Sequence, residues 1–379
     1  MRLDKLIFLG IALCSFSIKG AAQAIPIRFF KEAAIKEKPV RQVVYREDFA
    51  DSTASDVLYQ NLTRDGIPVS YSREIKTSVC FDGKCRLLDI TVYWDPAGGY
   101  MGFELPPGEF LSKTDHDPFS HEEYLKLHGI LSDSLSVLAD YTFEELVPGT
   151  GNPGEVDAVS SATLKDILDY IVPGAAFTTY RLWHIVYGKT GEVVSRLSSD
   201  VFTERFALLL LDSGEPRLQR WTLSRLRLLP GWEKDVREKV VELTGNSNLN
   251  VAASAITSFP GRVACEKDVQ AALAGLVSEG AYAVRKLAIL KLKDAGMLRP
   301  ETASSLTGLV LKLNGDLLGE VLSLFFAAKV TDVNTLRKVS EILETGNRYT
   351  AGKVLDFLEK VNPDDTLVRK RMEVFKKGK

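Results

Sequence analysis

Hydroxyl side chains cluster in Ser160-Ser161-Ala162-Thr163, immediately before a run of apolar residues with helical spacing. That run predicts one face of an α-helix and consists of Leu164, Ile167, Leu168 and Ile171. A serine at the start of a helix is a favourable N-cap, and the free backbone N–H groups there attract anions. A phosphate group could therefore lie against this turn, beside the Thr163 hydroxyl. The simpler interpretation is that Ser160 or Ser161 only caps the helix, with Thr163 in its first turn.

The same stretch resembles the D-x-x-S-G-A-T motif of the FMN-binding domain family. Asp157, Ser160, Ala162 and Thr163 match its positions, and Ser161 takes the place of the glycine. In that family the threonine carries FMN through a phosphoester bond, so the resemblance implies covalent FMN on Thr163. It also implies a cofactor-binding turn made of Asp157, Ser160 and Ser161. No general base stands near Thr163 in the sequence, so a separate transferase must form the bond.

The first residues have the pattern of an export signal. Arg2 and Lys5 give a positive start, residues 6–16 are apolar, and Ala22-Gln23-Ala24 is a small-x-small cleavage site. We therefore expect residues 1–24 to be a signal peptide and the mature chain to be periplasmic or otherwise extracytoplasmic. No later apolar run reaches the length of about 18 residues that spans a bilayer.

Length and charge limit the classes of function. With 379 residues, two domains are expected, and a hydrophobic content of 45% is sufficient for packed cores. The formal net charge of −2 argues against a nucleic-acid partner, because such proteins usually carry a strong basic field.

Cys80 and Cys85 flank a turn between two β-rich stretches. In an oxidising compartment the favoured interpretation is a local hairpin disulfide, with a redox-active or metal-binding pair as the alternative. Cys265 is expected to be a lone thiol near the start of a helix.

The elements before residue 195 are mixed. Residues 75–80, 86–94 and 100–105 have the composition of strands, and residues 121–138 have helical spacing. We also expect a strand over residues 176–187, which contain several large aromatic side chains. These elements predict an α+β domain over residues 25–195.

Residues 200–379 have the pattern of helices alone. First helices are expected to begin near residues 201, 232, 266, 300 and 331, and second helices near 215, 248, 280, 315 and 348. The spacing of roughly 31 to 35 residues lies in the range of helical repeats. Residues 216–221 and 283–288 resemble the D-x-x-V-R-x-x-A pattern of HEAT-like repeats, so this half is expected to be an all-α HEAT-like solenoid of about five repeats that binds a protein partner.

The His/Asp cluster of the first half is a weaker candidate. His116, His121 and His128, with Asp115, could converge on a metal, although their spacing matches no known metalloenzyme motif. The competing interpretation is a helix start in which Ser120 and Glu123 form a capping box. A metal-dependent hydrolase at this cluster is thus the third hypothesis, and no metal ligand is assigned.

Aromatic residues of the first half could pack against a flavin ring, but aromatics in strands are most often core or cross-strand partners. The candidates are Tyr93, Trp94, Tyr100, Phe103, Tyr180, Trp183 and Tyr187. The sequence does not distinguish the two roles.

The preferred hypothesis is an exported FMN-binding-like protein. By the family resemblance, its flavin would relay electrons at or near a membrane, with membrane-associated redox proteins among its partners and the helical repeats docking a protein. The other hypothesis is a non-catalytic interaction scaffold without cofactor. Ser161 and Lys165-Asp166, which depart from the motif, favour the scaffold. Whether the chain is an enzyme is left open.

Overall fold

The structure is a computed structural model that describes residues 26–51, 53, 55–77, 87–113, 116–143 and 169–378. Three predictions lie outside these residues. They are the signal peptide over residues 1–24, the pairing of Cys80 with Cys85, and the flavin-attachment turn containing Asp157, Ser160, Ser161 and Thr163. Cys265 is described and carries a free thiol, as predicted.

The expected order of architecture is confirmed: an antiparallel sheet is followed by a region of helices alone. The strands are β1 (Arg28–Phe30), β2 (Arg41–Arg46), β3 (Val57–Leu62), β4 (Pro68–Thr77), β5 (Leu88–Trp94) and β6 (Tyr100–Glu104). In the described residues they form one six-stranded sheet in the order β1-β6-β5-β4-β3-β2. Strands β2 to β6 therefore follow one another across the sheet, and β1 pairs with the far edge of β6.

Among the residues that the structure describes, three helices cover the sheet: α1 (His121–Ser132), α2 (Ala176–Tyr187) and α3 (Lys189–Asp200). Along β5, buried and partly exposed residues alternate as the pleat of a strand requires. Its buried side chains join those of the three helices in a single hydrophobic core. We call β1 to α3 the sheet region.

The predicted strand over residues 176–187 is wrong, because these residues form α2. Threonine and aromatic residues favour strands, and they are frequent in this stretch. However, the buried residues Thr179, Leu182, Trp183 and Val186 are spaced three and four apart, which places them on one face of a helix. Packing of that face against the sheet outweighs the weaker intrinsic preference.

The helical region runs from α4 to α16, and its helices begin close to the predicted positions. Its longer helices are α4 (Glu204–Leu211), α5 (Pro216–Arg225), α6 (Lys234–Thr244), α7 (Leu249–Ser258), α9 (Lys267–Glu279), α10 (Tyr282–Asp294), α11 (Pro300–Leu309), α12 (Gly315–Ala327), α13 (Val333–Ser340), α15 (Arg348–Val361) and α16 (Thr366–Lys377). Two single-turn helices, α8 (Gly261–Ala264) and α14 (Ile342–Thr345), stand between them.

These helices recur with a constant period. The helices α5, α7, α10, α12 and α15 begin at residues 216, 249, 282, 315 and 348, each 33 residues after the one before. Buried positions recur with the same period, as in Thr222, Ala255, Ala288, Val321 and Val354 and in Leu226, Phe259, Leu292, Phe325 and Leu358. Each of these helices contacts the next member of its series, so equivalent residues form continuous buried rows.

The two regions share a small hydrophobic cluster at their junction. Ile67 and Val69 of the sheet region pack against Phe206, Leu210 and Leu218 of α4 and α5. Ion pairs surround this cluster and join Asp95 to Arg217 and Asp65 to Arg205. The sheet region therefore covers the apolar end of the first helix pair, which has no preceding pair to cover it.

Candidate functional site

The described residues on both sides of the predicted flavin-attachment motif lie against helix α2. On the N-terminal side, the Phe143 ring contacts the rings of Phe177 and Tyr180 at centroid distances of 5.0 and 5.8 Å. On the C-terminal side, the Val172 N–H donates to the Thr179 hydroxyl at 3.2 Å. Phe143 and Val172 thus both contact α2, and the predicted attachment residues, which lie between them in the sequence, are outside the described residues.

A cavity of about 460 Å³ opens along one face of α2. Phe177, Tyr180, Arg181 and His184 line it at helical spacing, and the loop 49–51 forms the opposite wall. We call it the α2 cavity. Its volume lies within the range of about 300–1,000 Å³ that is typical of small-molecule sites.

Aromatic rings form one side of the α2 cavity. Tyr180 and His184 lie with ring centroids 4.2 Å apart, and the Tyr180 hydroxyl donates to the backbone carbonyl of Tyr141 at 3.2 Å. A ring nitrogen of His184 lies 3.0 Å from the Leu138 carbonyl. Burial lowers the pKa of His184, although the bond to that carbonyl opposes the shift, so near neutral pH its imidazole is mainly neutral.

Cationic groups form the other side. The Arg181 guanidinium donates to the Asp51 carbonyl at 3.0 Å and to the Thr77 hydroxyl at 3.2 Å, and exposed Lys189 stands at the rim. An aromatic wall suits a planar heteroaromatic ring, and a cationic wall suits a phosphate. The lining therefore fits FMN chemically.

A buried arginine holds the loop wall of the α2 cavity in place. Arg73 is only 1% exposed and lies 3.9 Å from the centroid of the Phe49 ring. Its guanidinium forms an ion pair with the Asp51 carboxylate and donates to the Thr53 hydroxyl and, at 3.0 Å, to the Thr190 hydroxyl at the start of α3. Ala50, between two of these anchored residues, has a φ of 54°, an unfavourable conformation that the anchors maintain.

Sequence reasoning missed Arg73, Asp51 and Arg181. The signal for Arg73 was present, because Tyr71, Arg73 and Ile75 alternate along a strand and must lie on the same face. A lone arginine between two apolar residues of a core face indicates a buried ion pair. Its partner Asp51 lies 22 residues earlier in a loop, so the sequence did not identify it.

The described histidines are not grouped as metal ligands. The rings of His121 and His128 both lie against Phe29, at centroid distances of 5.6 and 6.1 Å, and a ring nitrogen of His128 lies 2.8 Å from the Tyr100 hydroxyl. The predicted capping box is confirmed: the Ser120 hydroxyl accepts from the Glu123 N–H, and the Glu123 carboxylate accepts from the Ser120 N–H. Among the described residues, which omit Asp115, no three candidate ligands are grouped as a metal site requires.

The aromatic candidates have separate roles. Trp94 and Phe103 are fully buried core residues, and the Trp94 indole donates to the Val186 carbonyl at 2.9 Å. Tyr180 lines the α2 cavity, whereas Tyr100 and Tyr187 line a second cavity at the junction of the two regions. The prediction of core packing holds for most of the set, because Tyr100 and Trp183 are also buried in the core and Tyr180 and Tyr187 pack against it.

Comparison with family models, curated proteins and solved structures finds no match to this chain. Within the described residues, no helix has both the length and the apolar character needed to cross a bilayer.

Proposed function

We propose that this chain is an exported carrier of covalent FMN, attached at Thr163 and used for electron transfer. The observation that supports the proposal most directly is the Asp157–Thr163 motif in a segment whose described flanks both lie against α2. The α2 cavity lies along that helix and is lined by aromatic and cationic side chains. A flavin bound there would supply the redox chemistry, and the protein would supply binding and orientation.

Each wall has a distinct role in this proposal. Arg181 and Lys189 would attract the phosphate, while Phe177 and Tyr180 would exclude water from one side of the ring. Asp157, Ser160 and Ser161 would shape the turn at the point of attachment. Arg73 acts as a positioning residue, because it holds Asp51 and Phe49 and thereby the wall opposite α2.

The attachment is tested by the intact mass of the mature chain, exported from cells that also express an FMN transferase. The expected mass is raised by FMN less one water. Thr163→Ala should abolish the increase, whereas Thr257→Ala, which removes an exposed threonine of α7, should retain it. An unmodified wild-type chain beside a fully flavinylated positive control would contradict the proposal.

Placement of the flavin in the α2 cavity has a separate test. In the flavinylated chain, iodide should quench flavin fluorescence weakly, because a ring against Tyr180 is shielded from solvent. Tyr180→Ala should increase the quenching, and Tyr282→Ala, at an exposed tyrosine of α10, should leave it unchanged. If Tyr180→Ala and Tyr282→Ala show equal quenching, the flavin does not occupy the α2 cavity. Covalent attachment at Thr163 is then judged by the intact mass alone.

The helical region, in this proposal, is a HEAT-like solenoid that docks a protein, with membrane-associated redox proteins as the partners. Support comes from the 33-residue period and from the contacts of each helix with the next member of its series. In such arrays each repeat contacts only its neighbours. Deleting one full period, residues 282–314, should therefore leave a cooperatively folded chain.

Deleting residues 282–298 is the matched control for the repeat proposal. This change removes about half a period and makes α9 and α11, two helices of the same series, consecutive in the chain, so the buried rows no longer align. Circular dichroism and urea unfolding should show loss of cooperative structure in the half-period variant only. If the two deletions are equally disruptive, the solenoid assignment is wrong.

The second candidate function is a non-catalytic extracytoplasmic scaffold that binds proteins and carries no cofactor. Ser161 and Lys165-Asp166, which depart from the attachment motif, favour it. An unmodified mass and the absence of visible absorption from the purified chain would support the scaffold. Ser161→Gly restores the family residue, so a gain of flavin only in this variant would show that the departure prevents attachment.

A further inference from the structure

A cavity of about 510 Å³ lies at the junction between the sheet region and the first helix pair. Its walls come from the segment after β1, the turn between β5 and β6, the ends of α1 and α2, and the N-terminus of α5. We call it the junction cavity. It is separate from the α2 cavity, and the inference drawn from it does not depend on FMN.

Two cations line the junction cavity. The Lys31 ammonium donates to the Ser132 carbonyl at 3.3 Å and lies 5.6 Å from the centroid of the Tyr100 ring. An ammonium has three donors, and within the described residues this carbonyl is its one hydrogen-bond acceptor. The Arg217 guanidinium uses one nitrogen for Asp95 and presents the remaining donors at the rim.

The N-terminus of α5 adds a third positive feature. Glu215 stands at the N-cap but makes no side-chain capping bond, and Ala281 at the start of α10 makes none either, whereas Asn248, Asn314 and Asn347 cap the equivalent ends of α7, α12 and α15. Within the described residues, the backbone N–H groups of Arg217 and Leu218 have no acceptor. Free N–H groups at a helix N-terminus favour an anion.

Three carboxylates, Glu32, Asp95 and Glu215, also line the cavity. Asp95 pairs with Arg217 and accepts backbone bonds from its own turn, at 2.9 Å from the Ala97 N–H. Glu32 pairs with Lys36, and Glu215 is exposed. Lys31 is the group left without a carboxylate partner in the described residues. Crowding by protein atoms lowers its pKa, and the charge of Asp95 opposes that shift.

The remaining walls are mainly apolar, apart from Ser132 and Ser134. The hydroxyls of Tyr100 and Tyr187 are engaged, with the His128 ring at 2.8 Å and the Leu131 carbonyl at 2.7 Å. Both side chains line the cavity, Tyr100 with 2% of its surface exposed and Tyr187 partly buried. Val69 and Leu218 contribute aliphatic surface. A ligand that fits this lining has an anionic head and an apolar body.

We propose that the junction cavity binds an amphiphilic organic carboxylate. Its carboxylate accepts hydrogen bonds from Lys31, Arg217 and the free N–H groups of α5, and its aliphatic or aromatic body packs against Tyr100 and Tyr187. Because the walls belong to both regions, such a ligand also bridges the sheet region and the first helix pair.

Calorimetric titration of the full chain with octanoate tests the charge and the apolar body together. Octylamine and octanol serve as probes of opposite and zero charge on the same aliphatic chain. We expect octanoate to bind and the other two to bind at least about tenfold more weakly, since one lost charge-assisted hydrogen bond removes roughly 1.5–3 kcal/mol. Comparable binding of octylamine or octanol, or no binding of octanoate, would overturn the proposal.

Matched variants locate the binding site. Lys31→Gln should weaken octanoate at least about tenfold, whereas Lys38→Gln, at an exposed lysine outside the cavity, should not. Arg217→Gln should also weaken it, in contrast to Arg220→Gln on the same helix. Since Arg217→Gln also breaks the pair with Asp95, Lys31→Gln decides the result. Equal affinities of the Lys31 and Lys38 variants, at unchanged melting temperatures, would rule out this cavity.

Discussion

The interiors of the two regions are held together differently. In the sheet region, buried polar side chains join residues far apart in the chain: Arg73 donates to Thr190, 117 residues away, and Ser198 donates to the Tyr71 hydroxyl, 127 residues away. In the helical region, ion pairs such as Lys286 with Asp316 join residues 30 apart, which is about one period. Its core consists of aligned rows of apolar residues.

This difference has an energetic consequence. In the helical region the most extensive contacts join helices that are adjacent in the chain or one period apart, so we expect damage to stay local and stability to be spread over many similar contacts. In the sheet region a few buried polar groups connect distant segments, and each is costly when its partner is lost. We therefore expect single substitutions to be most damaging in the sheet region.

The largest effect is expected from Arg73→Met. The change leaves the Asp51 carboxylate without its buried partner, and breaking such a pair costs about 3–5 kcal/mol. Arg46→Met is the control, because the exposed pair of Arg46 with Asp56 contributes at most about 1 kcal/mol. Urea unfolding of both variants measures the difference, and equal losses would remove the distinction between buried and exposed pairs.

The next largest loss of stability is expected when a core side chain of the helical region is truncated. Leu273 of α9 is fully buried, and Leu273→Ala should cost about 2–5 kcal/mol. Hydrogen exchange followed by mass spectrometry should show faster exchange in α9 and in the helices that contact it, with β4 and β5 unchanged. Faster exchange throughout the sheet region would contradict the neighbour-only description of the helical region.

A smaller effect is expected where the turn between β5 and β6 approaches α3. Gly98 and Gly108 have almost the same φ, 81° and 82°, but a Cβ at Gly98 would lie 2.2 Å from the Gly191 carbonyl oxygen, whereas one at Gly108 would meet nothing within 4 Å. Gly98→Ala should therefore cost about 1–3 kcal/mol more than Gly108→Ala. Thermal unfolding measures both, and equal costs would mean that backbone conformation alone restricts Gly98.

The smallest expected effect is the loss of stability at low pH that results from protonation of Asp51. Burial raises the pKa of Asp51, but hydrogen bonds from Arg73 and Thr53 outweigh it, so the folded-state pKa lies below 3.8. The carboxylate therefore stabilises the fold at pH values above 3.8, and this contribution is lost as the pH falls through the folded pKa. Burial of the carboxylate opposes the hydrogen bonds and so limits this contribution.

The acid prediction is measured by urea unfolding between pH 2 and pH 7. Asp51→Asn should be less stable than the wild type at neutral pH and should lose less stability on acidification. Asp56→Asn, at an exposed carboxylate, should follow the wild-type profile. If the wild type and Asp51→Asn lose the same stability on acidification, protonation of Asp51 does not contribute to the pH dependence of stability.

The sequence predicted the helical region more closely than the sheet region. Helix starts were expected near 248, 280, 315 and 348 and are observed at 249, 282, 315 and 348. Apolar periodicity, caps and period length are local signals, and packing between neighbours follows from them. The prediction failed at Ala176–Tyr187, where residues that favour strands form a helix. Burial of one face of that helix against the sheet outweighs their intrinsic preference.

The candidate sites depended on the tertiary structure to a greater degree. The attachment motif is a local pattern, so the sequence alone identified it, and its flavin remains a proposal. The α2 cavity combines a loop near residue 50 with a helix near residue 180, and the junction cavity combines residues near 31, 95 and 217. Such distant pairings are set by the sheet register and by helix docking, and no local pattern encodes them.

The sequence by itself determined the order of the two regions, the repeating helices and the Ser120–Glu123 capping box, because each depends on residues close together in the chain. Only the tertiary structure decided that α2 is a helix, that Arg73 is buried against Asp51 and that Lys31 and Arg217 share a cavity. These outcomes depend on burial and on charges brought together from distant positions, and their free energies exist only once the chain has folded.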